Sequence, residues 1–360
     1  MEQTITVKIK LHEPTQAKRG MYQEVADRVT EFANNYLGLD KKDRPKTSKE
    51  AKEHSRSLPS AVLAQAIRDI KSKPKAKRFK RLWPNFNNQN FRVEKETSKD
   101  GGAVWKASFP TLEKRVGVPV IVTPYQEKYL ELLLSGQAKQ GSALLVKRGR
   151  DWYIHLSLTV TVEQTAEPEK IMGIDLGLID LLVASANGQT LFFSGKQLVH
   201  VRRHYAKLRQ KLQKAGAHEA LKELGDKEHR WVTDTNHKIS RAVIRFALFH
   251  KVTKIRLEDL TGVRWTRRQG KSQRRDPGRS LDRWAFHQLR ELIEYKATLA
   301  GIEVELVNPE LTTLTCSRCG HEHKSRPKGR WFKCGRCRRA KHIDVNGADN
   351  IAQAVSGLAA

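Results

Sequence analysis

All four cysteines of the 360-residue chain lie in one short stretch: Cys316-x2-Cys319, fourteen intervening residues, then Cys334-x2-Cys337. Two C-x2-C turns at this separation can present four sulfurs to one tetrahedral Zn²⁺, which closes the site and makes it structural rather than catalytic. Disulfides are the competing use of the same thiols. The opening segment MEQTITVKIK has none of the apolar core of a secretory signal, so a reducing cytosol and zinc are expected. His321, His323 and His342 lie near enough in sequence to replace a thiolate. With four cysteines already present, they are expected to be solvated or to face phosphate.

Three acids suggest a second kind of chemistry: Asp175 in GIDLG, Glu258 in RLEDL and Asp344 in HIDVNGADNI. The first two end or interrupt apolar strand-like runs, where a charge is costly unless it binds something. Three carboxylates gathered from separate elements can hold two Mg²⁺ (or Mn²⁺) ions about 4 Å apart, an arrangement that activates water and stabilises the leaving oxygen in phosphodiester hydrolysis. Oxygen-only ligands favour these ions over zinc. Asp180, Asp259 and Asp349 compete as ligands, although strand alternation prevents Glu258 and Asp259 from facing one site together.

The elements that must position these groups can be read from periodicity. Thr4 to Leu11 alternates as a strand, and Tyr22, Val25, Val29, Phe32 and Tyr36 form one apolar helical stripe. After a polar, Lys-rich stretch, Val62, Ala66, Ile67 and Ile70 mark a second short helix. Short alternating strands follow (NFRVEK, AVWKASFP, VPVIVTP, SALLVKR, DWYIHLSLTV), at the spacing of a small antiparallel barrel. In the last of these, Trp152, Ile154, Leu156, Leu158 and Val160 share one face, and His155 is expected on the other. A new domain begins near Pro168. It runs as a strand carrying Asp175, helices over Lys196 to Ala215 and Trp231 to His250, a strand ending in Glu258-Asp259, a helix over Trp284 to Ala300, a strand in GIEVELVNP, and Asp344 after the cysteines. That order describes an RNase H-like α/β nuclease core.

Composition points to the partner. Lys and Arg total 68 against 39 acids, a net charge of +29 that suggests a polyanion. No run of eighteen apolar residues exists, so a membrane role is not expected. The segment Lys71 to Trp83 is densely basic with Phe79 and Trp83 interleaved, and it reads either as a solvated charge run or as a stretch in which Lys77, Arg78, Lys80 and Arg81 track phosphates and the aromatics stack on bases. A second basic stretch, Arg264 to Arg283, includes Arg267, Arg268, Arg274 and Arg275. A stand-alone zinc-ribbon DNA reader fits poorly, since 315 residues precede Cys316.

The motifs GIDLG, LEDL, CSRCG, CGRC and DVNGADNI together resemble those of the TnpB family, RNA-guided nucleases of insertion sequences related to type V CRISPR effectors. The resemblance runs from about Lys170 to Gln353. It implies a RuvC-type nuclease domain (169–308 and 340–360) whose catalytic, Mg²⁺-binding acids map onto Asp175, Glu258 and Asp344, with a target-nucleic-acid-binding zinc ribbon (309–339) inserted before the last acid. It further implies a wedge-like β-barrel (1–12 and 84–168) interrupted by a helical recognition insert (13–83). The implied partners are a guide RNA from the element's end and a double-stranded DNA target cut beside a short flanking motif, in a prokaryotic cytoplasm. Here His342 stands where the family more usually has an acid, two positions before the catalytic aspartate. An RNA-guided binder without cleavage and an unguided RuvC-like resolvase or transposase are the alternatives.

Overall fold

The computed structural model describes residues 1–97, 102–163, 169–177, 179–259, 286–308, 314–325 and 329–354. The chain forms two compact units, Glu2–Thr161 and Val162–Ala360, the latter joined by Met1.

In the first unit, β1 (Glu2–Leu11) leads into α1 (Gln16–Gly38), which starts at Thr15, whose hydroxyl accepts from the Lys18 amide at 3.4 Å. The predicted stripe of α1 is buried. Its Tyr22 ring packs on Phe109 and Trp152 at centroid distances of 5.3 and 5.5 Å. Within the Lys-rich stretch lies a helix that periodicity misses, α2 (Ser48–His54). It forms because Thr47 and Glu50 cap its start: the Glu50 amide donates to the Thr47 hydroxyl at 3.3 Å, and the Glu50 carboxylate accepts from the Lys46 amide at 2.8 Å. Then come α3 (Ser60–Lys71), β2 (Asn85–Phe86), β3 (Arg92–Thr97), β4 (Ala103–Pro110), β5 (Arg115–Ile121), α4 (Pro124–Leu134), β6 (Ala138–Arg148) and β7 (Asp151–Thr161). The strands make a seven-stranded antiparallel sheet of order β2-β6-β7-β1-β5-β4-β3. Among the described residues no β2–β3 pairing closes it. Along β7, Trp152, Ile154, Leu156, Leu158 and Val160 are buried, while His155 is half-buried on the opposite face, beside Lys8.

The second unit opens with β8 (Ile171–Asp175), β9 (Asp180–Ala186) and β10 (Gln189–Ser194), then α5 (Lys196–Lys214), α6 (His218–Leu224), α7 (Lys227–Phe249), β11 (Lys254–Glu258), α8 (Phe286–Leu299) and β12 (Glu303–Val307). A hairpin of β13 (Trp331–Lys333) and β14 (Ala340–His342) leads directly into α9 (Ile343–Gln353). The main sheet has order β10-β9-β8-β11-β12: β8, β9 and β10 are antiparallel neighbours, and β11 runs parallel to both β8 and β12. Met172, Ile174, Leu182, Ala184, Ile255 and Leu257 face one side, where they form the core with apolar residues of α5, α7 and α8. The opposite face carries α9, through a small cluster of Val183, Val345 and Ala348.

Candidate functional site

The carboxylates are positioned by the pleat of β8 and β11. The two strands pair in register up to Ile174 and Leu257. Asp175 and Glu258 each come one residue later, at the last position of its strand, so they leave the same end of the sheet on the same face. Parallel neighbours lie about 4.8 Å apart, which brings the two carboxylates alongside one another. Glu258 is only 8% exposed.

The third acid arrives on α9, and two glycines determine how closely that helix approaches. A Cβ on Gly173 would stand 1.9 Å from the Ala348 carbonyl oxygen and 2.6 Å from the Ala352 nitrogen, so only glycine allows the helix backbone to rest on β8. A Cβ on Gly347 would stand 2.9 Å from Asp175 Oδ2, so the Asp175 carboxylate lies directly against the helix. Asp344 precedes Gly347 by three residues and therefore shares its face. It also lies in the first turn of α9, where the helix dipole favours an anion. Beneath the helix, Arg256 is held by Glu305 through Nε at 2.8 Å and donates through Nη1 to the Ala352 carbonyl at 2.8 Å. A buried arginine thus satisfies a carbonyl at the end of α9 and fixes it over β11.

Asp344 also belongs to a second group. Its carboxylate, that of Asp180 and the His342 ring have donor atoms within 4.8 Å of one another. Arg330 pairs with both acids, its Nη2 lying 3.4 Å from Asp344 Oδ2, in contact with Asp180 Oδ2 and 3.1 Å from His342 Nε2. Of the other competing acids, Asp259 pairs with Arg290 at 3.3 Å. Asp349 accepts from Ser185 at 2.6 Å and Ser317 at 3.2 Å and pairs with Lys341, so it serves as a structural junction.

The cysteines pair across the two knuckles, Cys316 Sγ to Cys337 Sγ at 3.7 Å and Cys319 Sγ to Cys334 Sγ at 3.6 Å. A disulfide requires about 2.0 Å, whereas the edge of a ZnS4 tetrahedron with Zn–S near 2.3 Å is about 3.8 Å. The donor set therefore fits one zinc ion. The Cys337 amide donates to Cys334 Sγ at 3.4 Å, the main cause that holds the Cys334 thiol down to about 5 and favours the thiolate a metal needs. Phe332 is buried with Cys316, Cys334 and Ile343, which gives the ribbon a core of its own. His321 and His323 stay outside the thiolate set; the His323 ring packs on Phe332 at 4.9 Å.

Periodicity misses the link between the two sites. Asn346, 1% exposed, accepts from the Ser317 amide at 3.0 Å and donates to the Thr315 carbonyl at 2.7 Å; Asn350, one turn later, donates to the same carbonyl at 2.7 Å. One helix thus carries Asp344 and, through two asparagines, the first zinc knuckle. The signal in the sequence is the i, i+4 pair of amides in DVNGADNI.

Of the basic residues, Lys77, Arg78 and Lys80 are exposed. Arg81 is engaged by Asp27 and lies over the Trp83 ring at 5.5 Å. The expectation that Phe79 and Trp83 stack on bases is corrected for Phe79. That ring is 7% exposed, held inside by its own backbone amide donating to Asn34 Oδ1 at 2.9 Å. Trp83 is half-buried with an edge contact to Trp152 at 6.1 Å. Arg267, Arg268, Arg274, Arg275 and Trp284 lie outside the described residues. Among the described residues no helix is long and apolar enough to cross a membrane.

Two family profiles match the chain, one described as a probable transposase over residues 154–264 and the other as the Cas12f1-like TNB domain over 286–351. A TnpB-like protein of Methanocaldococcus jannaschii is 31% identical over 254 residues, 66% of this chain and 86% of that protein. The CRISPR-associated endodeoxyribonuclease Cas12f1 of Sulfoacidibacillus thermotolerans is 28% identical over 262 residues, 67% of this chain; the match spans 60% of that longer protein. Among solved structures, a Cas12f1–sgRNA–target DNA complex has a protein chain that superposes with a TM-score of 0.68 at 17% identity, covering 94% of this chain and 83% of that one. The likeness establishes a shared fold.

Proposed function

The chain belongs to the TnpB-like family, and on that footing we propose that it is an RNA-guided DNA endonuclease of an insertion sequence. The reading rests on one observation above the others: Asp175 at the end of β8 lies against Gly347, on the helix that carries Asp344, while Glu258 emerges beside it from β11. In this reading the β8–β12 sheet with its helices is an RNase H-like, RuvC-type domain. The cysteine segment is a zinc-stabilised module that handles the target strand, and the strand-rich first unit is a wedge-like barrel with residues 13–83 as a recognition insert.

Asp175, Glu258 and Asp344 are the residues that would hold Mg²⁺ or Mn²⁺. When bound, such a pair of ions supplies an activated water and neutralises charge on the leaving oxygen. The chain's own contribution is placement: Asp175 stands between a strand neighbour and a helix neighbour, and burial keeps Glu258 from swinging into solvent. Base pairing between a bound guide RNA and one DNA strand supplies sequence, while the protein supplies positive charge and a check of a short flanking motif. The cytoplasm of a prokaryote is the setting this implies. The relatives named as endodeoxyribonucleases support the class of reaction, and the neighbouring complex with guide RNA and target DNA supports the partners.

The test is to express the chain beside its native flanking DNA, sequence the RNA that copurifies, and challenge the complex with a randomised target library plus Mg²⁺. Cleavage confined to guide-matched targets next to one short motif is expected. The probable-transposase profile favours a second reading, an unguided resolvase or transposase on the same core. Cutting that proceeds after the RNA is removed would favour it.

A further inference from the structure

The geometry points to a second divalent-cation site, formed by Asp180, His342 and Asp344, whose mixed oxygen and nitrogen donors select Mn²⁺ or a similar first-row ion over Mg²⁺. The inference rests on the nuclease reading at one point only, the sharing of Asp344.

Three observations carry it. First, the donor atoms converge: one oxygen from each aspartate and a nitrogen of His342 lie within 4.8 Å of one another, with His342 Nε2 at 3.8 Å from Asp180 Oδ2. Second, a cationic nitrogen already marks the focus. Arg330 Nη2 touches Asp180 Oδ2 and lies 3.1 Å from His342 Nε2 and 3.4 Å from Asp344 Oδ2, so a single positive group contacts all three prospective ligands. Third, the imidazole ring presents Nε2 to the focus, 3.1 Å from Arg330 Nη2 and 3.8 Å from Asp180 Oδ2, while its Nδ1 is buried and without a hydrogen-bond partner among the described residues. Edge contacts with Phe192 at 5.3 Å and Trp331 at 6.3 Å hold the ring in this orientation.

Two carboxylates and a neutral imidazole carry two negative charges, matched by one divalent ion. Mg²⁺ prefers oxygen ligands and retains its waters, while imidazole raises the relative affinity for manganese and later first-row ions. Arg330 is the competitor: it fills the position with one positive charge, and its side chain is 36% exposed, so it can withdraw into solvent as an ion enters. Arg330 immediately precedes β13 of the cysteine hairpin. Ion entry would therefore release a contact between the zinc module and the acids.

The experiment uses the zinc-loaded full chain and follows free Mn²⁺ by electron paramagnetic resonance, with Mg²⁺ as competitor. In Asp175→Asn/Glu258→Gln, which disables the proposed nuclease centre, one Mn²⁺ should remain bound against excess Mg²⁺. Adding His342→Ala should weaken it by at least about tenfold, whereas adding His342→Asp should keep an ion that Mg²⁺ now displaces. Arg330→Gln should tighten Mn²⁺ severalfold. Zinc content reports whether each variant keeps its ribbon. Pulsed measurements on the unsubstituted chain should show imidazole nitrogen coupling to Mn²⁺, a readout that needs no variant to fold. No ion left in the double variant, an ion indifferent to His342→Ala, or the absence of nitrogen coupling would each overturn the site. Cleavage is not the readout, so a chain that binds this ion and cuts nothing would refute the nuclease reading alone.

Discussion

The cysteine site and the carboxylate site meet the same short helix, the first through Asn346 and Asn350 and the second through Asp344 and Gly347, yet they are built in opposite ways. The thiolates come from 22 consecutive residues, Cys316 to Cys337, and two tight turns suffice to bring the sulfurs within 3.6 and 3.7 Å across the knuckles. The acids come from two strands and a helix between residues 175 and 344: a sheet register sets Asp175 beside Glu258, and a glycine contact sets Asp175 against the helix that carries Asp344. Local covalent spacing builds the first site; tertiary packing builds the second. Damage to packing should therefore affect the acids first, and damage to the metal ligands should remain local.

The sharpest test of that contrast is chemical. Glu258→Gln keeps the shape of the side chain and removes its charge, so it should leave zinc content and folding unchanged. Cleavage should fall by about 10³-fold, the scale of several kcal/mol of lost metal-supported charge stabilisation. Single-turnover cleavage of a guide-matched duplex measures it, and a loss of less than about tenfold would remove Glu258 from the centre.

A pair of glycine substitutions tests the packing side. Gly173→Ala puts a methyl group against helix backbone and should destabilise the second unit by about 3 kcal/mol or more. Gly347→Ala meets only the Asp175 side chain, so its stability cost should stay under about 1.5 kcal/mol while cleavage falls as the carboxylate shifts. Denaturant unfolding beside the cleavage assay separates them; equal stability losses would show that the helix is not seated as described.

The helix also allows the two sites to be uncoupled. Cys316→Ser should remove the zinc and reduce cleavage while Mg²⁺ binding at Asp175 and Glu258 persists. Asn346→Ala should keep the zinc but strand the Ser317 amide and remove one of the two donors to the Thr315 carbonyl, costing about 1–3 kcal/mol. Zinc content and thermal melting distinguish these outcomes. Loss of zinc in the asparagine variant would mean that the ribbon cannot form without the helix.

These contrasts also explain what could be read from the sequence. The zinc ligands were legible because their spacing is local. The strands ending in Asp175 and Glu258 were legible because Ile171, Met172 and Ile174 in one, and Ile255 and Leu257 in the other, lead at strand spacing up to an acid, and the stripe of α1 because its period is helical. The short helices α2 and α6 were not, since seven residues hold too few apolar positions to set a period, and α4, which starts with a capping box at Thr123-Pro124, was hidden between the strands on either side of it. Arg330 and the two close-packed glycines were invisible for a different reason: each acts on a residue that only the fold brings near. Phe79 was misread because interleaved aromatics in a basic run look the same whether they face solvent or, as here, are pinned inward by Asn34.

The smallest expected effect concerns that basic run. Neutralising Lys77, Arg78 and Lys80 together should leave both metal sites intact. Each lost phosphate contact should flatten the logarithmic salt dependence of nucleic-acid binding by about 0.7–0.9. An unchanged slope in a binding titration from low to physiological salt would remove this face from the interface.

The central claim is that three carboxylates gathered by packing form the centre that cuts guided DNA. The most direct measurement incubates the purified complex, carrying its own copurified RNA, with a plasmid bearing the matched target and flanking motif, in Mg²⁺ or in EDTA, for the unsubstituted chain and for Asp175→Ala. The account predicts linearised plasmid only for the unsubstituted chain in Mg²⁺, with target binding preserved in both proteins. Cleavage by Asp175→Ala at an undiminished rate, or by the unsubstituted chain in EDTA, would contradict it.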